Sequence, residues 1–177
     1  LTAADIMAVM GKPMDELAEL IFKQPRREDS MRLLQVCGDY ENEYLRENGA
    51  VLYPELRNTM ERLKEMGYSL YIVSNCQSGY IESFLDYYQF HDLFEDIECY
   101  GNNDKPKADN IALVVERNAL NAAVYVGDIQ GDYDASCQAG VDFIHASYGF
   151  GTIDAKVCAI KSFAELSDMD IDAIYSK

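Results

Sequence analysis

The sequence predicts an α/β protein: a three-layer, Rossmann-like parallel sheet preceded by a small helical cap lobe. Residues 1–50 contain helical patterns and no strand pattern. From residue 51 onwards, short apolar runs alternate with amphipathic helical patterns, as in parallel sheets that are covered by helices. Gly49 and Pro54 lie where the pattern changes. We therefore expect a helical lobe over residues 1–50 and an α/β core over residues 51–177.

In the lobe, apolar residues at helical spacing predict helices over residues 14–22 and 27–48. Asp15 and Glu16 suit the positive end of the first helix, and Gly49 is a typical stop for the second. Gly11–Lys12–Pro13 is interpreted first as a break between helices. The alternative is that this segment faces a substrate, with Lys12 attracting an anion.

In the core, runs of β-branched and aromatic residues predict strands, and apolar residues at spacings of three and four predict helices. The predicted strands cover residues 68–73, 97–99, 122–126, 141–146 and 157–160. The predicted helices cover residues 56–67, 81–88, 110–118 and 132–139.

Composition excludes several classes of protein. With 15 Lys and Arg against 31 Asp and Glu, the net charge of −16 repels phosphate backbones, so we expect no nucleic-acid partner. We expect no membrane segment, because no run of 18 apolar residues exists, and a cytoplasmic location. Five scattered cysteines predict reduced, mostly buried thiols rather than a disulfide framework or a zinc site. The oligomeric state stays open.

Polar residues follow two of the predicted strands, and ligands of parallel sheets bind beyond the carboxyl ends of strands. Ser74 and Asn75 follow the first strand, and Asp128 follows the strand at residues 122–126. The Ser74 hydroxyl could hold phosphoryl oxygens, although Ser and Asn also cap helices. Asp128 and Asp132 could both bind one Mg²⁺ ion. The alternative is that Asp128 is only a turn residue and Asp132 only a helix cap.

A cation is predicted near the same edge. Lys105 and Lys107 precede the helix at residues 110–118, and either could neutralise charge on a phosphoryl group. Taken alone, each of these lysines is more simply interpreted as a solvated surface residue. His145 lies at the end of a predicted strand, and we favour a packed structural residue over a catalytic one. Tyr148–Gly151 is interpreted as a wall of the cleft.

Three segments, taken together and in this order, resemble motifs II, III and IV of the haloacid dehalogenase superfamily. They are YIVSN, KPKADNI and YVGDIQGDYDAS. LYPELRNTMERLKEMGYSLYIVSN resembles the approach to motif II in the phosphoglycolate phosphatase-like branch, and the lobe resembles the end of that family's helical cap. The resemblance implies a Mg²⁺-dependent phosphatase that hydrolyses a small phosphorylated metabolite through an aspartyl-phosphate.

The resemblance also implies roles for individual residues. Ser74, with Asn75 beside it, would bind the transferred phosphoryl group. Asp128 would bind Mg²⁺, and Asp132 would assist the metal site or orient the lysine. The motif lysine is Lys105 by the usual Lys-Pro form and Lys107 by the local KADNI sequence, and we favour Lys107.

One family motif is missing. The hydrophobic strand followed by DxDx[TV], which supplies the nucleophilic aspartate in this superfamily, does not precede the lobe. The DxD at residues 168–170 follows no apolar strand and is predicted to be a solvated acidic tail. We therefore expect the nucleophile and the first strand of the sheet in a segment outside these 177 residues, and no activity from the chain as given.

Two further functions remain open. A non-catalytic binding or regulatory protein of the same fold would need no nucleophile, and a β-phosphoglucomutase-like phosphotransferase would use the same residues. A dehalogenase is disfavoured because it would not need the Asp128 and Asp132 pair.

Overall fold

The computed structural model describes residues 2, 5–6, 8–12 and 14–175, so Pro13 lies outside the described residues. The two predicted lobe helices are confirmed with the expected bounds, α1 at Met14–Phe22 and α2 at Arg27–Asn48. The Arg27 guanidinium lies 2.6 Å from the Asp15 carboxylate, which links the start of α2 to α1. Gly49 ends α2 with a φ of 65°, a conformation that favours glycine.

The predicted alternation of strands and helices in the core is confirmed. The strands are β1 at Leu70–Ser74, β2 at Phe94–Cys99, β3 at Val124–Gly127, β4 at Asp142–Ala146 and β5 at Cys158–Ile160. The helices are α3 at Leu56–Glu65, α4 at Tyr80–Tyr88, α5 at Tyr100–Asn103, α6 at Lys107–Arg117, α7 at Gln130–Ala139 and α8 at Asp172–Tyr175. Short 3₁₀ turns occupy His91–Leu93 and Phe163–Asp168.

The strands form two parallel groups rather than one continuous sheet. β1 pairs with β2, and β3, β4 and β5 pair in that order. In the described part of the chain, no backbone ladder joins β1 to β3. A cavity of about 530 Å³ lies between these two strands. We call it the inter-sheet cavity.

Helices cover both faces and cross from one strand group to the other. On one face, Met60 of α3 packs in the β1–β2 core while Leu63 of the same helix packs against β4 and β5. On the other face, α6 and α7 pack together, with Val73 of β1 and Tyr125 of β3 against them. The predicted three layers are therefore present, and both outer layers span the inter-sheet cavity.

Asp168 and Asp170 are exposed, as predicted for a solvated acidic segment, and Leu166 and Ile171 on either side of it are buried in the core. One detail differs from the sequence predictions. The cysteines are free as expected, but Cys37, Cys137 and Cys158 are exposed, so the prediction of mostly buried thiols is wrong. None of the helices in the described residues combines the length and apolar character needed to cross a bilayer.

Candidate active site

Asp132 is the buried centre of a hydrogen-bonded group at the carboxyl end of β3. Its Oδ2 accepts a hydrogen bond from the backbone N–H of Asp128 at 3.0 Å. Gly127 makes this approach possible, because a Cβ there would lie 2.7 Å from the same oxygen. The other oxygen, Oδ1, accepts a hydrogen bond from the Lys107 ammonium. Both carboxylate oxygens of Asp132 are therefore engaged within the protein.

Lys107 is the first residue of α6, and its side chain is only 13% exposed. Its ammonium lies 5.8 Å from the centre of the Tyr125 ring. Burial works against the positive charge, but Tyr125 and the Asp132 carboxylate outweigh it and raise the pKa of Lys107. Lys107 is therefore a permanent buried cation at neutral pH.

Lys105 takes a different position from Lys107. It lies before Pro106 in the loop that leads into α6, and it is exposed. Its backbone, not its ammonium, makes the local contacts: the N–H donates to Asn103 at 2.9 Å and the carbonyl accepts from Asn110 at 3.2 Å. Of the two lysines, the structure joins Lys107 to the acidic pair.

Asp128 is held by the loop that follows β4. Its Oδ2 accepts a hydrogen bond from the Phe150 N–H at 2.7 Å. A Cβ on Gly149 would lie 2.4 Å from that oxygen, so the loop can close over the carboxylate only with glycine there. Burial, together with Tyr53 and Asp128, raises the pKa of the neighbouring Tyr148 to about 12, so this hydroxyl stays protonated beside the carboxylate.

Only some of the residues around Asp128 and Asp132 could bind a Mg²⁺ ion. Among the described residues, no cluster of three or more His, Cys, Asp or Glu side chains is placed to hold a metal. Asp132 is occupied by two hydrogen bonds. Asp128 remains, and a single carboxylate with several waters lies at the lower end of what Mg²⁺ uses. The donor type fits Mg²⁺, but the residues present supply one side of its coordination sphere.

Ser74 and Asn75 lie at the carboxyl end of β1, as predicted. The Ser74 Oγ accepts a hydrogen bond from the Cys76 N–H at 3.3 Å, which leaves its own proton able to bind another acceptor. The Asn75 side chain donates to the Gly11 carbonyl at 2.9 Å, so the loop before α1 lies against this strand end. The Asn75 Oδ1 is buried without a hydrogen-bond partner among the described residues.

Sequence reasoning missed Tyr125, which connects the two strand ends. Its hydroxyl donates to the Val73 carbonyl at 2.9 Å, and its ring lies against Lys107. Nothing in the sequence distinguished this tyrosine from other apolar strand residues. Lys12, by contrast, is paired with Glu16 at 3.2 Å on the surface. His145 pairs in register with Gly127, and its Nε2 is buried without a partner in the described part of the chain.

Comparisons with known proteins agree with this fold. The sequence profile of the haloacid dehalogenase-like hydrolases matches residues 1–146. The phosphoglycolate phosphatase of Aliivibrio fischeri is 30% identical over 103 residues, which are 56% of this chain and 45% of the relative. That of Shigella boydii is 26% identical over 157 residues, which are 83% of this chain and 58% of the relative. The chain thus spans about half the length of the curated relatives it matches.

Solved structures show the same fold at low sequence identity. A protein from Bacteroides fragilis, solved as a haloacid dehalogenase-like hydrolase, superposes with a TM-score of 0.81 at 23% identity, covering 94% of this chain and 83% of that one. A haloacid dehalogenase-like family protein from Streptococcus pneumoniae superposes with a TM-score of 0.75 at 20% identity, covering 95% and 81%. The predicted fold and the resemblance of the three motifs are confirmed. The chain belongs to the haloacid dehalogenase-like hydrolase family.

Proposed function

We propose that this chain forms the cap and most of the catalytic core of a Mg²⁺-dependent phosphatase for a small phosphorylated metabolite, of which phosphoglycolate is the first candidate. The observation that carries the proposal is the buried Lys107–Asp132 pair beside Asp128, at the carboxyl end of a parallel strand. Relatives named phosphoglycolate phosphatase support the choice of substrate. The cytoplasmic location stays a prediction.

In this proposal, Lys107 and Ser74 bind the phosphoryl group. The Lys107 ammonium keeps two further protons after it has donated to Asp132, and these can be donated to phosphoryl oxygens. The Ser74 hydroxyl donates to another of those oxygens. Asp132 is a positioning residue: it holds the ammonium in place and balances its charge. This assignment favours the lysine-orienting role over metal ligation, because both Asp132 oxygens are engaged.

Asp128 is the one residue of the pair that we assign to Mg²⁺. The Phe150 N–H fixes one of its oxygens and so orients the carboxylate. When bound, Mg²⁺ would neutralise negative charge on the phosphoryl group. The net charge of −16 makes such local cations necessary, because the protein as a whole repels a phosphate ester.

The attacking carboxylate is proposed to come from a DxDx[TV] segment outside these 177 residues. With the phosphoryl group held by Lys107 and Ser74, the first aspartate of that segment would attack phosphorus in line as the P–O ester bond breaks. The second aspartate would give its proton to the departing oxygen, which leaves as the alcohol, and water then hydrolyses the aspartyl-phosphate. The 177 residues alone are expected to hydrolyse no phosphate ester.

The test compares phosphate release from phosphoglycolate, with Mg²⁺, by the chain alone and by the chain extended at its amino end with an apolar strand and DxDx[TV]. We expect hydrolysis only from the extended chain. Lys107→Met in the extended chain should lower kcat by about a hundredfold or more. Lys105→Met, two residues away and exposed, is the matched control and should leave it unchanged. Equal losses in the two variants, or none in Lys107→Met, would refute the assignment of Lys107.

A further inference from the structure

Cys76 and Cys99 lie where two neighbouring strands end. Ser74, the last residue of β1, pairs in register with Cys99, the last residue of β2, and Cys76 follows Ser74 by two positions. Beyond the strands, the Gly101 N–H donates to the Cys76 carbonyl at 3.0 Å. Gly101 permits this approach, because a Cβ there would lie 2.1 Å from the Ser78 backbone nitrogen. The two chain segments that carry the cysteines are therefore held against each other.

The side chains of the two cysteines pack in the same core. Cys99 is fully buried in the β1–β2 core, and Cys76 packs against that cluster. A hydrogen bond between the two side chains lowers the pKa of Cys99 and raises the pKa of Cys76. Because such a bond joins sulfur to sulfur, the two thiols face each other at close range. The Cys99 sulfur also lies 3.7 Å from the carbonyl oxygen of Gln77, the residue after Cys76.

The two cysteines differ in what can reach them from solvent. Cys99 has no exposed surface, whereas Cys76 is partly exposed, so an oxidant meets the Cys76 sulfur first. Peroxides react with the thiolate rather than the thiol. The lowered pKa of Cys99 means that the pair ionises more readily than an isolated thiol. Transfer of the Cys76 proton along the hydrogen bond to Cys99 then leaves the negative charge on Cys76.

We propose that Cys76 and Cys99 form a site of reversible oxidation, at which a hydroperoxide converts the two thiols into one disulfide. Both are free thiols in this structure, which is the reduced form of the site. A dithiol would return the disulfide to this form by thiol–disulfide exchange.

The oxidation has two steps. The Cys76 thiolate attacks one oxygen of the hydroperoxide, the O–O bond breaks, and the other oxygen leaves as hydroxide or alkoxide and takes a proton from solvent. Cys76 is then a sulfenic acid. The Cys99 sulfur attacks the Cys76 sulfur, the S–O bond breaks, and the departing hydroxide leaves as water with the Cys99 proton. The two sulfurs lose two electrons, and the hydroperoxide gains them.

Oxidation would also affect Ser74. The Cys76 N–H donates to the Ser74 Oγ at 3.3 Å. The two sulfurs must move from hydrogen-bonding distance to bonding distance, and Cys99 is held in β2 and in the core. The shift therefore falls on Cys76 and on its N–H. Loss of that hydrogen bond would let the Ser74 hydroxyl turn away from the phosphoryl group, and this part of the proposal rests on the proposed function.

The test uses the chain with its three exposed cysteines replaced, by Cys37→Ser, Cys137→Ser and Cys158→Ser. The proposed pair then carries the only thiols, and the intact mass after treatment with hydrogen peroxide shows which atoms are gained or lost. Trypsin cannot separate the pair, because no Lys or Arg lies between the two cysteines, so the oxidised chain is digested after glutamate. Three glutamates lie between them, at Glu82, Glu95 and Glu98.

We expect peroxide to lower the intact mass by two hydrogens and the digest to contain Cys76 and Cys99 in two peptides joined by a disulfide. Dithiothreitol should restore the original mass. At equilibrium with glutathione, the disulfide should be favoured at least about tenfold more in the folded chain than in urea, because the fold holds the sulfurs together. An equal or weaker preference in the folded chain would overturn the proposal, as would a gain of oxygen without the loss of two hydrogens.

Two variants of the three-serine chain are the controls, and circular dichroism checks that each is folded. Cys76→Ser removes the partly exposed thiol, so the buried Cys99 should stay unmodified under the same treatment. Cys99→Ala removes the second thiol, so Cys76 should gain oxygen and form no disulfide within the chain. A monomer that still loses two hydrogens in either variant would overturn the pairing.

The outcome separates this inference from the proposed function. In the three-serine chain extended with DxDx[TV], oxidation should lower kcat for phosphoglycolate by about tenfold, and dithiothreitol should restore it. If the disulfide forms but the reduced extended chain releases no phosphate, the oxidation site stands and the phosphatase proposal falls. If phosphate is released but peroxide forms no disulfide, the oxidation site falls and the phosphatase proposal stands. A disulfide that leaves kcat unchanged would overturn the coupling to Ser74.

Discussion

The buried ion pair between Lys107 and Asp132 gives the sharpest prediction for stability. Asp132→Asn keeps the shape of the side chain and an oxygen for the Asp128 N–H, but it removes the charge that faces Lys107. The two side chains are 13% and 6% exposed, so the lysine charge would be left buried without its partner. Removing one partner of such a pair costs about 3–5 kcal/mol. Since the hydrogen bond to Asp128 can survive, we expect a loss of about 3 kcal/mol.

Urea unfolding followed by circular dichroism measures this loss. With an m-value of about 2 kcal/mol/M, the midpoint should fall by about 1.5 M. Asp134→Asn is the matched control, because Asp134 is exposed two residues further along the same helix and should change stability by less than about 0.5 kcal/mol. A loss below about 1 kcal/mol for Asp132→Asn would refute the reasoning, as would an equal loss in the control.

The pH dependence of the same variant has a defined sign. The pKa of Lys107 is raised in the native protein, so its contribution to stability is fully present below pH 10.5 and is lost as pH rises through the higher native value. In Asp132→Asn, burial without the carboxylate should lower the pKa of Lys107. The lysine then loses its charge at a lower pH, so the free-energy cost of burying that charge disappears as pH rises. The difference in unfolding free energy between the two proteins should therefore shrink between pH 7 and pH 11. A difference that grows over this range would contradict the assigned contacts.

Three further predictions concern the loop over Asp128 and the cysteines. Gly149→Ala should cost about 1–3 kcal/mol in urea unfolding, because its Cβ would lie 2.3 Å from that of Asp128, whereas Gly131→Ala on α7 meets nothing nearer than 3.7 Å and should be neutral or stabilising. The free energy of unfolding should fall as pH rises from 10 to about 12, because Tyr148 keeps its proton longer in the folded protein than in the unfolded chain. Tyr148→Phe should remove this part of the fall, as measured by urea midpoints at pH 10 and at about pH 12. The three exposed cysteines should react with a thiol reagent faster than the protein unfolds, while Cys99 should react only at the rate of unfolding.

The closeness of Asp128 and Asp132 was predictable from the sequence. Asp128 follows a predicted strand and Asp132 lies at the start of the next helix, and the Asp128 N–H does donate to the Asp132 carboxylate. The sequence left both Lys105 and Lys107 open, with Lys107 favoured by the resemblance of KADNI. In the structure, Lys107 is the first residue of α6 and its ammonium donates to Asp132 of α7, whereas Lys105 lies in the loop before Pro106.

The strand β2 shows why some elements escape sequence patterns. The sequence predicted only residues 97–99, because Glu95 and Asp96 interrupt the apolar run, whereas the strand begins at Phe94. Arg117 of α6 pairs with Asp96 and also lies 2.8 Å from the Glu98 carboxylate, which allows Glu98 to be buried. The compensating charge lies 19 positions further along the chain, beyond the reach of a local pattern.

The proposed phosphoryl site of Lys107 and Ser74 can be tested by locating a bound oxyanion. Crystals of the 177-residue chain soaked in tens of millimolar tungstate, a phosphate analogue with strong anomalous scattering, would locate the anion even if it binds weakly. We expect an anion with oxygens within about 3.2 Å of the Lys107 Nζ and the Ser74 Oγ. Tungstate found only at exposed lysines such as Lys105, with the Lys107 ammonium bound to Asp132 and to nothing else, would contradict it.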